Sequence, residues 1–242
     1  MKNSVLVLVL MASWSLSAQL KGKITYKLST KKDSLEQPYA NPENTDAQND
    51  ALEMMHESLP VEGYLVFNDS ISIYNVEPKD DIPQWNNTND NLTIKPSSIN
   101  LTWFMAGGNS IYYADLSRDF SISQNAIMGP TVRIINKPVE WTITDETKEI
   151  DGYTCYLATK EKLKNKKLRA WFTPKIPVKH GPRGLSGLPG LIMEIEDVIY
   201  TWKIVKIDFD NKEADTIVEP IEGDLMTQEE FVDFSGNIFS DN

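Results

Sequence analysis

Alternating apolar and polar positions recur along the chain and predict β-strands. Residues 23–29 alternate in this way and form the first predicted strand. Residues 62–76 predict a hairpin with Asn68 and Asp69 at its turn. Residues 111–113 and 132–135 are further short strand candidates. The first half of the chain is therefore expected to contribute at least five strands.

The second half carries five strand patterns in succession, separated mostly by short connections. Asp151 and Gly152 are typical of a tight turn between the first two. Short connections can join only antiparallel neighbours, so the pattern predicts an antiparallel meander. The five predicted strands cover residues 140–147, 153–159, 168–173, 191–196 and 200–209.

Capping patterns predict two helices. Thr45 stands three residues before Gln48, a capping-box spacing, and opens a helix over about residues 46–58 that Pro60 would stop. Thr227 and Glu230 repeat the spacing and predict a short C-terminal helix. The polar stretches are expected to be loops, namely residues 31–50, within which the first helix begins, 77–100 and the lysine-rich 160–167.

The elements together predict one domain over residues 19–242, because no linker composition divides the chain. The predicted fold is mainly β or α+β. It is a single curved antiparallel sheet, similar to a half-barrel, with one or two helices packed on it.

The N-terminal 18 residues have the pattern of a secretory signal peptide. Lys2 precedes an apolar run over residues 5–12, and small residues lead to Ala18, after which cleavage is expected, with cleavage one residue earlier as the alternative because Leu16 is larger than ideal. The prediction is therefore an exported protein of the periplasm or the extracellular space. No later stretch is long and apolar enough to predict a transmembrane segment. Cys155 is the sole cysteine, so an intramolecular disulfide is impossible.

The composition is acidic, with 24 Lys and Arg against 35 Asp and Glu and a formal net charge of −11. Binding to nucleic acid requires basic residues that neutralise phosphates, so this balance argues against a nucleic-acid partner. It also disfavours electrostatic attachment to an anionic membrane surface.

Residues 174–190 contain four prolines and four glycines in seventeen positions. Proline fixes φ and glycine allows close backbone approach, so this segment is predicted to be a rigid loop shaped by its main chain. Residues 188–191 suit a type II turn. The candidate binding or structural loop, with the tryptophan that leads into it, comprises Trp171, Pro174, Pro177, Gly181, Pro182, Gly187, Leu188, Pro189 and Gly190.

Residues 187–192 read Gly-Leu-Pro-Gly-Leu-Ile, and the chain thus resembles the GLPGLI family. Residues 171–174 and 152–155 resemble two further elements of that family, whereas Lys175 replaces a frequent glutamate. The resemblance implies an exported protein of Gram-negative bacteria and brings no established activity. A weaker resemblance to periplasmic lipoprotein carriers implies an apolar pocket under helix 46–58.

Two pairs of residues are candidates for catalysis. Cys155 and His180 have the residue types of a nucleophile and its base, although a cysteine within a strand is also typical of a core. Glu194 and Glu196 are two apart in a strand and therefore face the same side, as paired acids or as a solvated surface. Along the same strand, Leu191, Met193 and Ile195 are expected on one face and Ile192 on the face of the two acids.

Metal and cofactor sites are not predicted. Two distant histidines and one cysteine do not make a zinc site. Asp80 with Asp81 and the run 86–91 lack the ligand order of a calcium loop. No phosphate-binding or dinucleotide-binding motif occurs.

The leading functional hypothesis is a non-catalytic exported module that binds a cell-envelope protein or an apolar, lipid-like ligand. Catalytic residue types are scarce, whereas residues that shape the main chain are dense in one loop. Two alternatives remain open: a hydrolase that uses one of the two candidate pairs, and a structural accessory of an outer-membrane assembly. The sequence does not define an oligomeric state.

Overall fold

The structure is a computed structural model that describes residues 20–35, 41–78, 100–125, 130–161 and 167–240. Within this part of the chain, twelve strands form one open, curled and mostly antiparallel sheet. The predicted single curved antiparallel sheet is therefore confirmed. The strands are Gly22–Thr30 (β1), Val61–Phe67 (β2), Ile71–Val76 (β3), Ile111–Asp115 (β4), Phe120–Asn125 (β5), Val132–Ile135 (β6), Thr142–Ile150 (β7), Tyr153–Glu161 (β8), Lys167–Thr173 (β9), Leu191–Glu196 (β10), Tyr200–Phe209 (β11) and Asp224–Met226 (β12).

The strand order is β12-β6-β5-β4-β3-β2-β1-β11-β10-β9-β8-β7. The predicted meander over β7 to β11 is confirmed, because each of these strands pairs antiparallel with the next. β1 pairs with both β2 and β11 and so joins the two halves of the sheet. The one parallel pairing in the described sheet is that of β12 with β6.

Local turn chemistry sets the hairpins. Asp151 and Gly152 both have positive φ, at 49° and 79°, as a two-residue turn between twisted strands requires. At the β2–β3 turn the Asn68 side chain accepts hydrogen bonds from the backbone N–H groups of Ser70 (3.0 Å) and Ile71 (2.9 Å). Both predicted turns therefore form where the sequence places them.

Three α-helices lie in the described ranges, at Asp46–Glu57 (α1), Leu101–Ala106 (α2) and Gln228–Ser240 (α3). Both predicted helices are confirmed, with capping boxes at Thr45–Gln48 and Thr227–Glu230. α1 packs mainly against α2 and a 3-10 helix at Lys32–Leu35. The main contacts of α1 are thus with other helices and not with the sheet. An apolar pocket between α1 and the sheet, as expected from the resemblance to lipoprotein carriers, is not formed by these contacts.

The pattern analysis misses α2, β5 and β12. Each is short, and α2 follows a polar stretch in which no helical period is visible. Its start depends on the Asn100 side chain, which accepts from the N–H groups of Thr102 (3.1 Å) and Trp103 (3.4 Å). β5 carries mostly polar residues and is defined by its pairing with β4 and β6.

Several predictions concern residues outside the described ranges. They are the signal peptide over 1–18, most of the loop at 77–100 with Asp80, Asp81 and the run 86–91, and residues 162–166 of the lysine-rich turn. No helix in the described part of the chain is long and apolar enough to cross a membrane.

Candidate functional site

Residues 174–190 leave β9 and return into β10 as an ordered segment that packs into the core. Ile176, Val178 and Leu188 are buried within the main hydrophobic cluster. The Leu191 N–H donates to the Ile176 carbonyl (2.8 Å) and the Gly187 N–H to the Lys179 carbonyl (3.0 Å), so the segment folds back on itself. Its 3-10 turn at Pro182–Gly184 reaches β2 to β5 in the other half of the sheet.

The predicted type II turn at residues 188–191 is wrong. Such a turn requires a positive φ at Gly190, and this glycine does not have one. Gly187 has the positive φ instead, at 93°. Gly190 serves close packing, because a Cβ there would lie 2.2 Å from the carbonyl oxygen of Thr173.

Two side chains anchor the segment to its surroundings. Arg183, at a positive φ of 54°, donates from Nη1 to the Met105 carbonyl (3.0 Å) and from Nε to the Tyr112 hydroxyl (3.3 Å). Its guanidinium also lies 5.6 Å from the centre of the Tyr112 ring. Trp141 donates from Nε1 to the Ser186 carbonyl (2.9 Å). The segment is thus tied to α2, to β4 and to the chain before β7.

Trp171 lies within the sheet and not on an open recognition surface. It is 5% exposed, and its Nε1 donates to Glu196 Oε1 (2.9 Å). Lys148 Nζ lies 4.4 Å from the centre of its ring. The side chain therefore packs in a polar network that joins β7, β9 and β10.

Glu194 and Glu196 do share a face. They pair with Trp171 and Arg169 of β9, which are two residues apart in that strand and therefore point to the same side of the sheet. Lys148 Nζ donates to Oε1 of both, at 2.9 and 3.1 Å. Burial alone raises the pKa of Glu196, but hydrogen bonds from Lys148 and Trp171 outweigh it and leave the pKa lowered. Both carboxylates are therefore engaged as ion-pair partners of a shared ammonium.

A bulge in β10 breaks the predicted alternation around these acids. The register shifts between Ile192, which pairs with Phe172, and Glu194, which pairs with Trp171. Adjacent residues of β9 point to opposite faces, so Ile192 and Glu194 do as well. The prediction that Ile192 shares the face of the acids is wrong for this reason.

Cys155 is fully buried in β8, where its Sγ–H contacts the carbonyl of Tyr153 at 3.5 Å. Burial raises the pKa of the thiol to about 11, while the Lys148 charge opposes this shift and Glu149 adds to it. The thiol is consequently protonated at neutral pH and poorly suited to nucleophilic attack. No hydrogen bond joins it to His180, whose ring nitrogens have no partner among the described residues.

His180 lies elsewhere, at a cleft of about 290 Å³ between the Pro/Gly segment and the turns of the first sheet half. We call this feature the His180 cleft. It contains two of the segment's predicted positions, Pro177 and His180. Its lining residues are Leu20, Phe67, Asn68, Asp69, Ser70, Leu116, Ser117, Pro177, Val178, Lys179 and His180.

The imidazole of His180 is only 2% exposed. Burial lowers its pKa to about 4, and the nearby Asn68 backbone and the Asp115 charge oppose this shift only in part. The Asn68 contact does not reach hydrogen-bond geometry, and both Nδ1 and Nε2 are without a protein partner. At neutral pH the imidazole is therefore neutral, and both of its nitrogens are buried in the wall of the cleft.

The structure brings together residues that the sequence analysis did not associate. Asp69, Ser70 and Ser117 come from two turns far from His180 in sequence. The β2–β3 turn was predicted, but no local pattern indicates that it faces the Pro/Gly segment. The remaining predicted loop residues lie outside the cleft: Pro174, Gly187 and Pro189 are exposed, and Gly181, Pro182, Leu188 and Gly190 are buried.

Metal binding finds no support in the described ranges. They contain no group of three or more His, Cys, Asp or Glu side chains placed to hold an ion. The His180 cleft has a mixed lining, with five apolar residues and six polar or charged ones.

Comparisons with known proteins give a family model and a fold. A model described as "Protein of unknown function (Porph_ging)" matches residues 159–194, which include the Gly-Leu-Pro-Gly-Leu-Ile motif. No curated protein matches the chain. The match covers β9, the Pro/Gly segment and most of β10, and carries no stated activity.

Among solved structures, PNGF-II in a C2 crystal aligns with a TM-score of 0.50 at 13% identity. The alignment covers 92% of this chain and 33% of that one, so this chain spans about a third of the PNGF-II chain. PNGF-II in a P21 crystal aligns at 0.47 and 13% identity, over 89% of this chain and 33% of that one. The first of these alignments describes a similar β-rich fold and does not transfer an activity.

Proposed function

We propose that this chain is an exported, non-catalytic binding protein of the GLPGLI type that holds a small ligand in the His180 cleft. The observation that carries the proposal is a cleft of about 290 Å³, one wall of which is formed by the ordered Pro/Gly segment. His180 lies in that wall and reports on whatever occupies the cleft.

The Pro/Gly segment gives this site its rigidity. Its backbone hydrogen bonds, buried apolar residues and Arg183 clamp hold His180 in place before any ligand arrives. A preformed site binds without an ordering cost, which favours recognition by a rigid loop. The density of proline and glycine in this segment is consistent with such a role.

The two candidate catalytic pairs fit this non-catalytic role. Cys155 is buried, has a raised pKa and lacks a hydrogen bond to His180. Glu194 and Glu196 share Lys148 as an ion-pair partner. The proposal therefore assigns His180 to the binding cleft, and Cys155, Glu194 and Glu196 to the stability of the fold.

Binding can be tested through the histidine rings, because the chain contains just two histidines, His56 and His180. We would record ring ¹⁵N NMR signals while adding the dialysable fraction of a periplasmic extract. His180 should shift in the wild type and not in Ser70→Phe, a variant designed to fill the cleft. Thr147→Phe, on the exposed edge strand β7, is the matched control and should behave as wild type. Unchanged His180 signals in the wild type would overturn the proposal.

Export is tested separately. The full chain is produced in a Gram-negative host, and the intact mass of the protein recovered from the extracytoplasmic fraction is measured by mass spectrometry. We expect a chain that begins at Gln19, as cleavage after Ala18 predicts. A full-length chain confined to the cytoplasm would remove the exported part of the proposal and leave the binding part to be judged by NMR.

A further inference from the structure

The C-terminal part of the chain crosses the first half of the sheet. We call residues 211–229, which lead from β11 through β12 into α3, the C-terminal strap. Its first residues form a 3-10 helix at Lys212–Asp215 that contacts β1, and β12 near its other end pairs with β6. Four strands, β2 to β5, lie between β1 and β6 in the sheet. The strap therefore spans these four strands.

The contacts of the strap identify the face on which it lies. Lys23 of β1 and Tyr113 of β4 stand in one register row across the sheet and point to the same side. Lys23 Nζ donates to Glu213 of the strap (2.9 Å). Arg118 Nη2 donates to the Tyr113 hydroxyl (3.3 Å) and to Glu219 of the strap (2.6 Å). The strap is thus attached on the side to which Lys23 and Tyr113 point, which we call the strap face.

The register row on the strap face is apolar beyond Lys23. Its further members, one from each of β2 to β6, are Val66, Ile73, Tyr113, Ile122 and Ile135. Val66, Tyr113 and Ile122 are at most 6% exposed. Tyr112, which accepts from Arg183 of the Pro/Gly segment, points to the opposite side because it neighbours Tyr113 in β4. The strap and the Pro/Gly segment therefore lie on different faces.

Charge complementarity indicates what the strap face accepts. Residues 213–242 contain nine Asp and Glu and no Lys or Arg, so this stretch carries −9 of the formal net charge of −11. The strap supplies the acid in each of the four ion pairs that join it to the rest of the described chain, which are Asp215 with Lys21 (2.6 Å), Glu213 with Lys23 (2.9 Å), Glu219 with Arg118 (2.6 Å) and Glu229 with Lys137 (2.7 Å). The surface around the apolar row thus fits an extended acidic segment.

Weak contacts hold the strap in its own chain. Of residues 211–229, only Ala214 is buried, whereas Val218 and Ile221 are 72% and 81% exposed. The ion pairs are partly or largely exposed, and such pairs contribute little to stability and are screened by salt. Asp210, between β11 and the strap, has a positive φ of 60°. A strained hinge of this kind favours the exchange of a terminal segment between copies.

We propose that the C-terminal strap exchanges between two copies of this chain, so that each strap lies on the strap face of the other copy. A second copy is the occupant that these observations favour, because its strap presents the same acids at the same spacing. The exchanged contacts reproduce those within one chain, and only the hinge at residues 209–211 changes conformation. This interface is separate from the His180 cleft and does not depend on a ligand there.

Complementary charge reversals test the exchange. Lys21→Glu with Lys23→Glu places like charges beneath the strap, and Glu213→Lys with Asp215→Lys does so from the strap itself. Each variant alone repels its own strap, but a mixed dimer with exchanged straps restores opposite charges at both interfaces. Native mass spectrometry of the mixture should therefore show a heterodimer at least about tenfold more abundant than either homodimer.

The matched control replaces two exposed lysines that make no ion pair with the strap. Lys27→Glu with Lys32→Glu is mixed with the Glu213→Lys, Asp215→Lys variant and should give no excess of heterodimer. The wild type is tested without any substitution. Concentrated protein is held in about 0.5 M NaCl, where the Debye length is about 4 Å, and is then returned to low salt. It should contain a larger dimer fraction than protein that stayed in low salt.

The proposal requires both the heterodimer excess and the salt-induced dimer of the wild type. Monomers in the charge-reversed mixture would overturn it, and so would an equal amount of heterodimer with the control variant, since association would then not use the strap. A heterodimer without any wild-type dimer would overturn exchange in the native chain. If urea unfolding shows that a reversed variant does not fold, the wild-type salt experiment decides alone, and a persistent monomer there would overturn the proposal.

Discussion

Acidification should destabilise this protein through His180, and replacement of that residue by phenylalanine should remove the effect. The imidazole is 2% exposed, and burial lowers its pKa to about 4 from an ordinary value of 6.5. The unfolded chain exposes the ring to water and restores the ordinary value. Between these two pH values the unfolded state therefore binds more protons than the folded state.

The magnitude follows from the difference between the two pKa values. Each unit corresponds to about 1.4 kcal/mol, so the fall from 6.5 to about 4 is equivalent to about 3 kcal/mol. This stability is fully present above pH 6.5 and is lost as the pH falls through about 4. For a chain of this size the loss is a substantial part of the free energy of unfolding, typically about 5–15 kcal/mol.

Charged groups around the ring influence the pKa of His180 and therefore the pH range over which this stability is lost. Asp115, paired with Arg118, raises the pKa of His180 slightly, whereas Lys179 of the same segment and Asp69 of the β2–β3 turn place opposite charges at the cleft. Asp115 itself has a lowered pKa and stays ionised over this pH range. The negative charge of Asp115 therefore persists while the imidazole titrates.

The assay is urea unfolding followed by tryptophan fluorescence, repeated from about pH 7 to about pH 4 for three proteins. The wild type should lose about 3 kcal/mol more than His180→Phe over this range. His56→Gln, on the exposed side of α1, should follow the wild-type curve. Parallel curves for the wild type and His180→Phe would refute the reasoning, because they would mean that burial does not hold the imidazole neutral.

Three further predictions concern packing elsewhere in the sheet. Gly190→Ala should lower the free energy of unfolding by at least about 2 kcal/mol, since its Cβ would lie 2.2 Å from the Thr173 carbonyl; a urea midpoint equal to that of Ser186→Ala would contradict this. Lys148→Met should cost about 2 kcal/mol at neutral pH, because two partly buried carboxylates lose their shared cation, and the loss should shrink on acidification. Cys155 should resist Ellman's reagent in the folded protein and react fully in urea, and fast labelling without urea would refute its burial.

Sequence patterns predicted the regular parts of this fold well, because strands, hairpin turns and caps depend on neighbouring residues. The Asp151-Gly152 turn and both capping boxes form as expected. β5 escaped detection because its residues are mostly polar and its strand geometry comes from the neighbours β4 and β6. Gly190 was assigned the wrong role because close approach to Thr173 depends on pairing between β9 and β10, not on local turn preference.

The candidate site residues likewise show some features that the local sequence predicts and others that depend on tertiary contacts. Glu194 and Glu196 share a face as their spacing predicts, yet the cation nearest to both, Lys148, comes from β7, 46 residues before Glu194. His180 was identified as a candidate from its residue type. Its partner in the candidate dyad, Cys155, is buried in β8 and makes no hydrogen bond to it. Nothing in the local sequence indicates that Asp69 and Ser117 lie beside it.

By itself, the sequence determined the strand pattern, the helix caps and the presence of a rigid Pro/Gly segment, because each depends on contacts within a few residues along the chain. Only the tertiary structure decided where that segment lies and what it encloses. The curl of the sheet brings the β2–β3 and β4–β5 turns against residues 177–180. Burial at that meeting point, which no local pattern encodes, makes His180 neutral and leaves both ring nitrogens without a hydrogen-bond partner among the described residues.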